Sequence, residues 1–294
     1  MGGASIQGYF GRLADAYGWR YVLAVCLQYG GNQGIGNRLT RSAANYYLLD
    51  SINLDSAQMG HLSGFAGIPW QLKSLFGLLS DTLPIHGYHR SPYMLLAGAI
   101  GMAANAILAG APPGLIGYHS AALLFLSCNL NVALADVMID ATVAEQTKRR
   151  PELGAELQAL SWGALGGFGT IAYVFSGWAL ENVGPRILFA FSIGSSACAA
   201  IPGAFRWLGE PRPRARGLRR SVRELCASIW GHQTKRLVAM VRVYPAWRTP
   251  PLANQQMVFA PLGFFACEVL GYRALLPRTI RRYHNPYADP RPAP

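Results

Sequence analysis

Six apolar segments dominate the first 210 residues of this 294-residue chain. Each approaches the about 20 residues that an α-helix needs to cross the hydrocarbon core of a bilayer. Backbone N–H and C=O groups in lipid must be satisfied within the protein, so each segment is predicted to be helical. Short connectors rich in turn-forming residues separate them. The segments lie at roughly 19–37, 57–80, 92–111, 118–142, 157–180 and 186–207.

The composition agrees with a membrane protein, and the net charge does not contradict it. Only 14% of the residues are charged and 51% are hydrophobic, whereas soluble domains carry about 25% charged residues. The formal net charge of +12 is concentrated in the tail, because residues 207–294 contain 15 Lys/Arg against 4 Asp/Glu. Residues 1–206 are nearly neutral, so a nucleic-acid partner is not predicted.

The distribution of basic residues predicts the orientation of the helices. Cytoplasmic connectors carry an excess of Lys and Arg. One set of connectors holds Arg12, Arg90 and residues 148–150, and the other set holds Arg38, Arg41 and Arg186. We therefore predict a cytoplasmic N-terminus at 1–18, a six-helix transmembrane domain at 19–210 and a basic, Pro/Arg-rich tail at 211–294. The tail is predicted to be mostly irregular and largely disordered.

Signatures of enzymes, cofactor sites and metal sites are missing from the sequence. The five cysteines have no CxxC spacing, which argues against a zinc site or a disulfide framework. His86 and His89 follow Pro84 without enough further ligands for a metal. No HExxH, GxSxG or P-loop motif occurs. The chain is predicted to be a non-enzyme without a cofactor, and no cleavable signal peptide is recognised at its start.

Charged residues interrupt the second apolar segment. Lys73, Gly77 and Asp81 recur every four residues and therefore share one helical face. An ionisable residue inside a bilayer is costly and is a functional candidate for that reason. The alternative is structural: Asp81 marks the helix end, and Lys73 extends its amine to the interface.

The fourth segment carries two carboxylates, in ADVMIDATVAE. Asp136 and Asp140 are four residues apart and share a helical face with Asn129, seven residues before Asp136. Two carboxylates this close repel each other, which favours holding a proton on one of them. We predict that they face the bundle interior beside the first helix. The alternative is that both pair with the basic residues at 148–150.

The first segment contains the glycine-rich stretch YGGNQGIGN, residues 29–37. Four glycines around Asn32 and Gln33 favour a discontinuous helix that lines a substrate site, as in many transporters. The alternative is close helix packing through small residues. A second glycine-rich stretch, GALGGFG at 163–169, is interpreted as a packing surface.

Several of these motifs together resemble one known family. The stretch PWQLKSLFGLLSDTLPIHGYHRSPY, residues 69–93, is similar to the loop between the second and third helices of major facilitator superfamily carriers, and more closely to the folate–biopterin transporter family. Further stretches resemble that family in the same order over about residues 19–212: YGGNQGIGN, NYYLLDS, ADVMIDATVAE, ELQALSWGALGG, SGWALENVGPR and LGEPR.

The resemblance implies an all-α membrane protein that transports folate, biopterin or related anionic pterins, with protons as the coupling ion. The family's tryptophan, lysine and aspartate fall on Trp70, Lys73 and Asp81, and its paired acids fall on Asp136 and Asp140. The superfamily's loop motif places its glycines and terminal basic residue on Gly77, Gly87 and Arg90, whereas His89 stands where a second arginine is common. The implied substrate-binding or ion-coupling candidates are Asn32, Gln33, Trp70, Lys73, Asp81, Arg90, Asp136 and Asp140.

The resemblance also implies a second half that this sequence does not show. Carriers of this superfamily have two six-helix halves, and the sequence matches the N-terminal half only. We therefore predict either a truncated or frame-shifted carrier, acting alone or as a homo-oligomer, or a non-transporting membrane partner of a full-length carrier. Both are multi-pass proteins of the lipid bilayer, and the plastid envelope and the plasma membrane both remain open as locations.

Overall fold

The computed structural model describes residues 6–112 and 114–210. These residues form helices joined by short connectors, and no named strand occurs among them. The all-α prediction is confirmed for this part of the chain. The predicted tail at 211–294 lies outside the described residues.

The first apolar segment is a helical run from Trp19 to Ser51. Its conformation changes along the way without an intervening turn, because the residues at the junctions keep right-handed helical backbone angles. The prediction of a polar connector over residues 38–56 is therefore wrong, and only residues 52–55 separate this run from the next helix. The helical run is preceded by a helix that the sequence did not predict, α1 (Ile6–Tyr17). The run itself consists of α2 (Trp19–Cys26), a π-helical segment (Leu27–Asn37), α3 (Arg38–Tyr46) and a second π-helical segment (Tyr47–Ser51).

The second apolar segment consists of three helices, α4 (Ser56–Ala66), α5 (Ile68–Gln71) and α6 (Lys73–Thr82). Asp55 caps α4: its side chain accepts a hydrogen bond from the Gln58 N–H at 2.8 Å, and the Gln58 side chain accepts one from the Asp55 N–H. Such a capping box satisfies N–H groups that a helix start leaves free. Pro69 lies in the first turn of α5, where a missing N–H costs little.

The remaining segments form four long helices, α7 (Ser91–Gly110), α8 (Tyr118–Arg149), α9 (Gly154–Asn182) and α10 (Pro185–Ala204). By length and apolar composition, all four can cross a membrane; for α9 the span includes the short 3₁₀ turn at Pro151–Leu153. Four helices able to span a bilayer, together with the apolar first and second segments, are the architecture of an all-α integral membrane protein.

The long helices do not simply pack on their neighbours in sequence. α10 packs most extensively on α7, and α8 packs on α7 and on the three helices of the second segment. α9 packs mainly on the first helical run and little on α8 or α10. Short connectors favour packing between successive helices, and α9 departs from that pattern. This arrangement places α8 between the second segment and the first helical run.

Glycines determine where two of these contacts can form. A Cβ on Gly98 of α7 would lie 2.6 Å from the Ala200 backbone nitrogen, and a Cβ on Gly203 of α10 would lie 2.5 Å from the Ser91 carbonyl oxygen. Distances this short to backbone atoms permit only glycine, so α7 and α10 are in backbone contact.

The glycines of the π-helical segment Leu27–Asn37 also lie against neighbours, which confirms close packing there. A Cβ on Gly30 would be 2.8 Å from Phe168, and one on Gly36 would be 2.7 Å from Ser195. The segment is π-helical rather than α-helical, but the helix is not interrupted there, so the predicted discontinuous helix is wrong. The second glycine stretch packs against this segment through Leu165, Phe168 and Gly169, which confirms the predicted packing surface there, whereas Gly163, Gly166 and Gly167 have no such neighbour within 4 Å.

Candidate functional site

Asp136 of α8 is the centre of a polar cluster inside the bundle. It is only 6% exposed. Its Oδ2 forms an ion pair with Lys73 Nζ, and its Oδ1 accepts a hydrogen bond from Gln33 Nε2. One carboxylate thus joins α8 to the first helical run and to α6. Both oxygens have charge-assisted partners, which compensates for the cost of burying the charge.

Local structure explains why Lys73 reaches this carboxylate. The helical conformation breaks at Leu72, between α5 and α6, and Lys73 is the first residue of α6. The Lys73 side chain is 33% exposed, whereas that of Asp136 is 8% exposed. The ion pair therefore has a buried acidic end and an accessible basic end. The alternative in which the α8 acids pair with residues 148–150 is wrong for Asp136.

An aromatic ring lies beside the ion pair. Lys73 Nζ lies 5.1 Å from the centre of the Trp70 ring, within range of a cation–π interaction. The indole N–H of Trp70 donates a hydrogen bond of 2.9 Å to Asn129 Oδ1 on α8. Two of the predicted candidates, Trp70 and Lys73, are thus fixed against α8 from adjoining helices.

Asp140, one turn further along α8, has a different environment. Its Oδ1 accepts a hydrogen bond from the Tyr29 hydroxyl of the first helical run. The residue is nevertheless exposed. Both acids therefore lie beside the first helix, as the sequence predicts, but only Asp136 is enclosed. Tyr29 fixes the second acid and was not among the predicted residues.

Asn32 does not join this cluster, although it adjoins Gln33 in the chain. Its Oδ1 accepts a hydrogen bond of 3.0 Å from Asn131 of α8, and its amide donates to Gln28 at 3.2 Å. Asn131 also donates to Ser196 of α10 at 3.2 Å, and Asn105 of α7 donates to the same hydroxyl at 3.3 Å. This buried amide network connects four helical elements, and its geometry is that of a structural contact.

Asp81 and Arg90 lie in a separate cluster at one end of the bundle. Asp81 is eight residues beyond Lys73 on α6, about 12 Å along the axis. The Arg90 guanidinium contacts Glu145 at 2.7 Å and Asp81 at 3.6 Å. Burial opposes the charge of Arg90, but the hydrogen bond and charge of Glu145 outweigh it and raise the Arg90 pKa. The structure therefore does not bring these two candidates to the Asp136 cluster.

Arg38 is a further charged residue that the sequence did not place in the bundle. It is the first residue of α3 and donates a hydrogen bond of 3.1 Å to the Tyr173 hydroxyl on α9. Its polar neighbours at 37–41 suggested a connector. In the structure this part of the first run packs against α9, where a Cβ on Gly169 would lie 3.7 Å from Arg38 Nε.

The comparisons with known proteins complete this description. The model of the BT1 family matches residues 33–243, which is more than half of the chain and includes Gln33, Lys73 and Asp136. The chain belongs to the BT1 family. No solved structure shows a significant match to it.

Curated proteins similar to this BT1 family chain carry transporter names. It is 33% identical over 202 residues to "Probable folate-biopterin transporter 2" of Arabidopsis thaliana, covering 65% of this chain and 38% of that protein. It is 36% identical over 187 residues to "Folate-biopterin transporter" of Synechocystis sp., covering 61% and 35%. For "Probable folate-biopterin transporter 5" of Arabidopsis thaliana the identity is 32% over 224 residues, covering 74% and 44%.

Each match spans less than half the length of the relative. The family resemblance stated from the motifs is confirmed. The transporter names also agree with the prediction that the chain is not an enzyme.

Proposed function

We propose that this BT1 family chain takes part in moving folate, biopterin or a related pterin across a membrane, with protons as the coupling ion. The observation that carries the proposal is the Asp136 carboxylate, shared between Gln33 of the first helical run and Lys73 of α6. An ion pair this deep among apolar helices is costly as a purely structural device. The names of the relatives supply the substrate class.

The cluster has the groups that a pterin substrate needs. A pterin is a flat heterocycle with N–H donors along one edge and carbonyl and ring-nitrogen acceptors. Trp70 offers an aromatic face, and the accessible amine of Lys73 offers a donor. The exposed carboxylate of Asp140 offers an acceptor. These three side chains therefore provide complementary contacts around Asp136.

The ion pair supports the proposed proton coupling. A proton bound by Asp136 neutralises the carboxylate and removes its attraction for Lys73. The ammonium is then available to another acceptor, including a carbonyl or ring nitrogen of a substrate. Loss of the proton restores the pair, so the Asp136 carboxylate then competes with the bound acceptor. Proton binding at Asp136 and substrate binding at Lys73 are linked in this scheme, because the Asp136 carboxylate and the substrate compete for the same ammonium.

The test is uptake by the full chain in proteoliposomes, measured with labelled folate and labelled biopterin. We expect an inward proton gradient to accelerate uptake by the unmodified chain. Asp136→Asn should abolish this acceleration, because an amide cannot take up the proton. Asp15→Asn is the matched control, since Asp15 is exposed on α1, and it should leave the acceleration unchanged.

Two results would contradict the proposal in different ways. Gradient-driven uptake that persists in Asp136→Asn would remove the proton role of this carboxylate. Absence of uptake of both substrates by the unmodified chain, in a preparation that is folded, would remove autonomous transport.

The second result would favour the alternative of a non-transporting partner of a full-length carrier. One surface supports that alternative: α9 is the least buried of the four candidate spans. Its exposed large apolar side chains include Trp162, Ile171, Val174 and Trp178. In that case a full-length family member should co-purify with the chain.

A further inference from the structure

Arg38 is a half-buried cation without a carboxylate partner where the first helical run meets α9. Among residues 6–112 and 114–210, the ion pairs involve Arg12, Lys73 and Arg90 as cations, and none involves Arg38. Its hydrogen bond to the Tyr173 hydroxyl uses one terminal nitrogen, Nη1. Its Nε is buried and has no hydrogen-bond partner in this part of the chain.

The depth of Arg38 makes this lack of a carboxylate significant. Its contacts, Gly169 and Tyr173, lie in the middle of α9, which is long and apolar enough to span a membrane. Tyr173 is about 13 Å from the last residue of that helix by the α-helical rise. A guanidinium stays charged in proteins. An unmatched positive charge at this depth is costly and is therefore a functional candidate.

Arg38 is also well placed relative to the Asp136 cluster. It follows Gln33 by five residues on the same helical run, about 7 Å along the axis. The i→i+5 bonding of the π-helical segment keeps residues four and five apart near one face. Lys73, Asp136 and Gln33 are joined by direct contacts. Further along the helical run that carries Gln33, Arg38 contacts Tyr173 of α9.

The remaining donors of Arg38 match one chemical group. Guanidinium donors lie in a plane and bind carboxylates in a bidentate manner. Tyr173 contacts the Arg38 guanidinium in two ways, through its hydroxyl and through its ring at 5.3 Å, and so fixes the orientation of the group. Tyr173 is therefore a positioning residue, and the terminal Nη2, which has no hydrogen-bond partner among the described residues, is the end of Arg38 preorganised for an anion.

Resting on the proposed function, we propose that Arg38 binds the carboxylate of the substrate and that the site prefers a carboxylate-bearing pterin to an uncharged one. Folate has a heterocycle joined to a benzoyl-glutamate with two carboxylates, whereas biopterin has no carboxylate. The heterocycle lies toward Trp70, Lys73 and Asp140, and the glutamate end lies toward Arg38. Substrate selection is thus divided between two ends of one polar surface.

The experiment compares binding of folate and biopterin to the purified full chain in lipid nanodiscs. We expect Arg38→Gln to weaken folate binding by about 10- to 100-fold, since charge-assisted hydrogen bonds contribute about 1.5–3 kcal/mol. Biopterin binding should stay near that of the unmodified chain. Arg38→Lys should restore part of the folate affinity, and Arg20→Gln, at an exposed arginine near the start of the same run, should change neither.

A comparison in the unmodified chain tests the same idea without a mutation. Folate dimethyl ester keeps the heterocycle and loses both negative charges, so it should bind about 10- to 100-fold more weakly than folate. Equal binding of the ester and of folate would overturn the assignment, and so would unchanged folate binding in a folded Arg38→Gln variant. If the unmodified chain binds neither folate nor biopterin, the proposed function fails and this inference fails with it.

Discussion

At the scale of single residues, Glu210 shows how one carboxylate can fix a helix start. Its two oxygens accept hydrogen bonds from the backbone N–H groups of His89, Arg90 and Ser91 at 2.7–3.0 Å, and from the Ser91 hydroxyl at 3.0 Å. These groups lie at the N-terminus of α7, where free N–H donors and the helix dipole favour a negative charge. Glu210 therefore connects the end of the described chain to the start of α7.

We expect Glu210→Ala to lower the free energy of unfolding by about 1–3 kcal/mol, because several buried donors lose a charged acceptor. The measurement is reversible unfolding of the full chain in mixed micelles. Glu181→Ala is the control, since Glu181 is exposed near the far end of α9. An equal loss in both variants would show that the cap contributes nothing specific.

The residue scale also shows what a sequence can and cannot indicate about a site. The sequence indicates Gln33, Lys73 and Asp136 individually as candidates, because polar groups in apolar helices need partners. Their mutual contact depends on α8 packing between the first and second segments, which no local pattern contains. Arg38 was missed for a related reason: partners such as Tyr173 lie about 135 residues away in sequence, so its neighbourhood looked like a solvated connector.

At the scale of elements, backbone contact between α7 and α10 follows from glycine alone. An alanine at Gly98 would place its Cβ 2.6 Å from the Ala200 nitrogen and 2.8 Å from the Ser196 carbonyl oxygen. Backbone atoms cannot move aside as a flexible side chain can. The helices would have to separate, and the interior contacts near Ser196 would be strained.

We therefore expect Gly98→Ala to destabilise the bundle by about 1–3 kcal/mol, in the range of overpacked core substitutions. Gly163→Ala is the matched control because a Cβ there meets no such atom within 4 Å. In an open helical position, alanine is favoured over glycine by about 1 kcal/mol, so this variant should be as stable as the unmodified chain or more stable. Thermal unfolding in detergent compares them, and a Gly98→Ala variant with an unchanged midpoint would contradict the packing argument.

Element types were easier to predict from the sequence than their ends. The apolar lengths indicated helices in all six segments, since lipid permits little else. The first run continues to Ser51 because its polar side chains find partners within the bundle, as Thr40 does with Asn105 at 3.3 Å. Hydropathy alone cannot show such partners, and it therefore ended the helix too early.

At the scale of the whole molecule, the connectors fall at two ends of the bundle. α1 lies at the end where α9 begins: the Tyr9 hydroxyl donates to the Glu156 carbonyl oxygen at 2.6 Å, and Arg12 pairs with Glu156 at 3.2 Å. Residues 83–90 and 205–210 share an end as well, since Arg206 donates to the Tyr88 hydroxyl at 3.1 Å. This arrangement agrees with the grouping of basic residues that predicts the cytoplasmic side.

Cysteine accessibility in intact bacterial cells tests that orientation. In a variant with all five native cysteines replaced, we expect a membrane-impermeant maleimide to label Ser51→Cys and Leu115→Cys from outside. Asp15→Cys and Glu152→Cys should react only after permeabilisation, because the excess of Lys and Arg keeps their end in the cytoplasm. All four positions are exposed, so burial does not explain a difference between them. Labelling of Asp15→Cys and Glu152→Cys from outside, with Ser51→Cys and Leu115→Cys protected, would agree with connectors at two ends of the bundle but would overturn the predicted orientation. Labelling of Ser51→Cys and Glu152→Cys from the same side would contradict the bundle itself, because the three crossing segments between them, the second segment, α7 and α8, should place them at opposite surfaces.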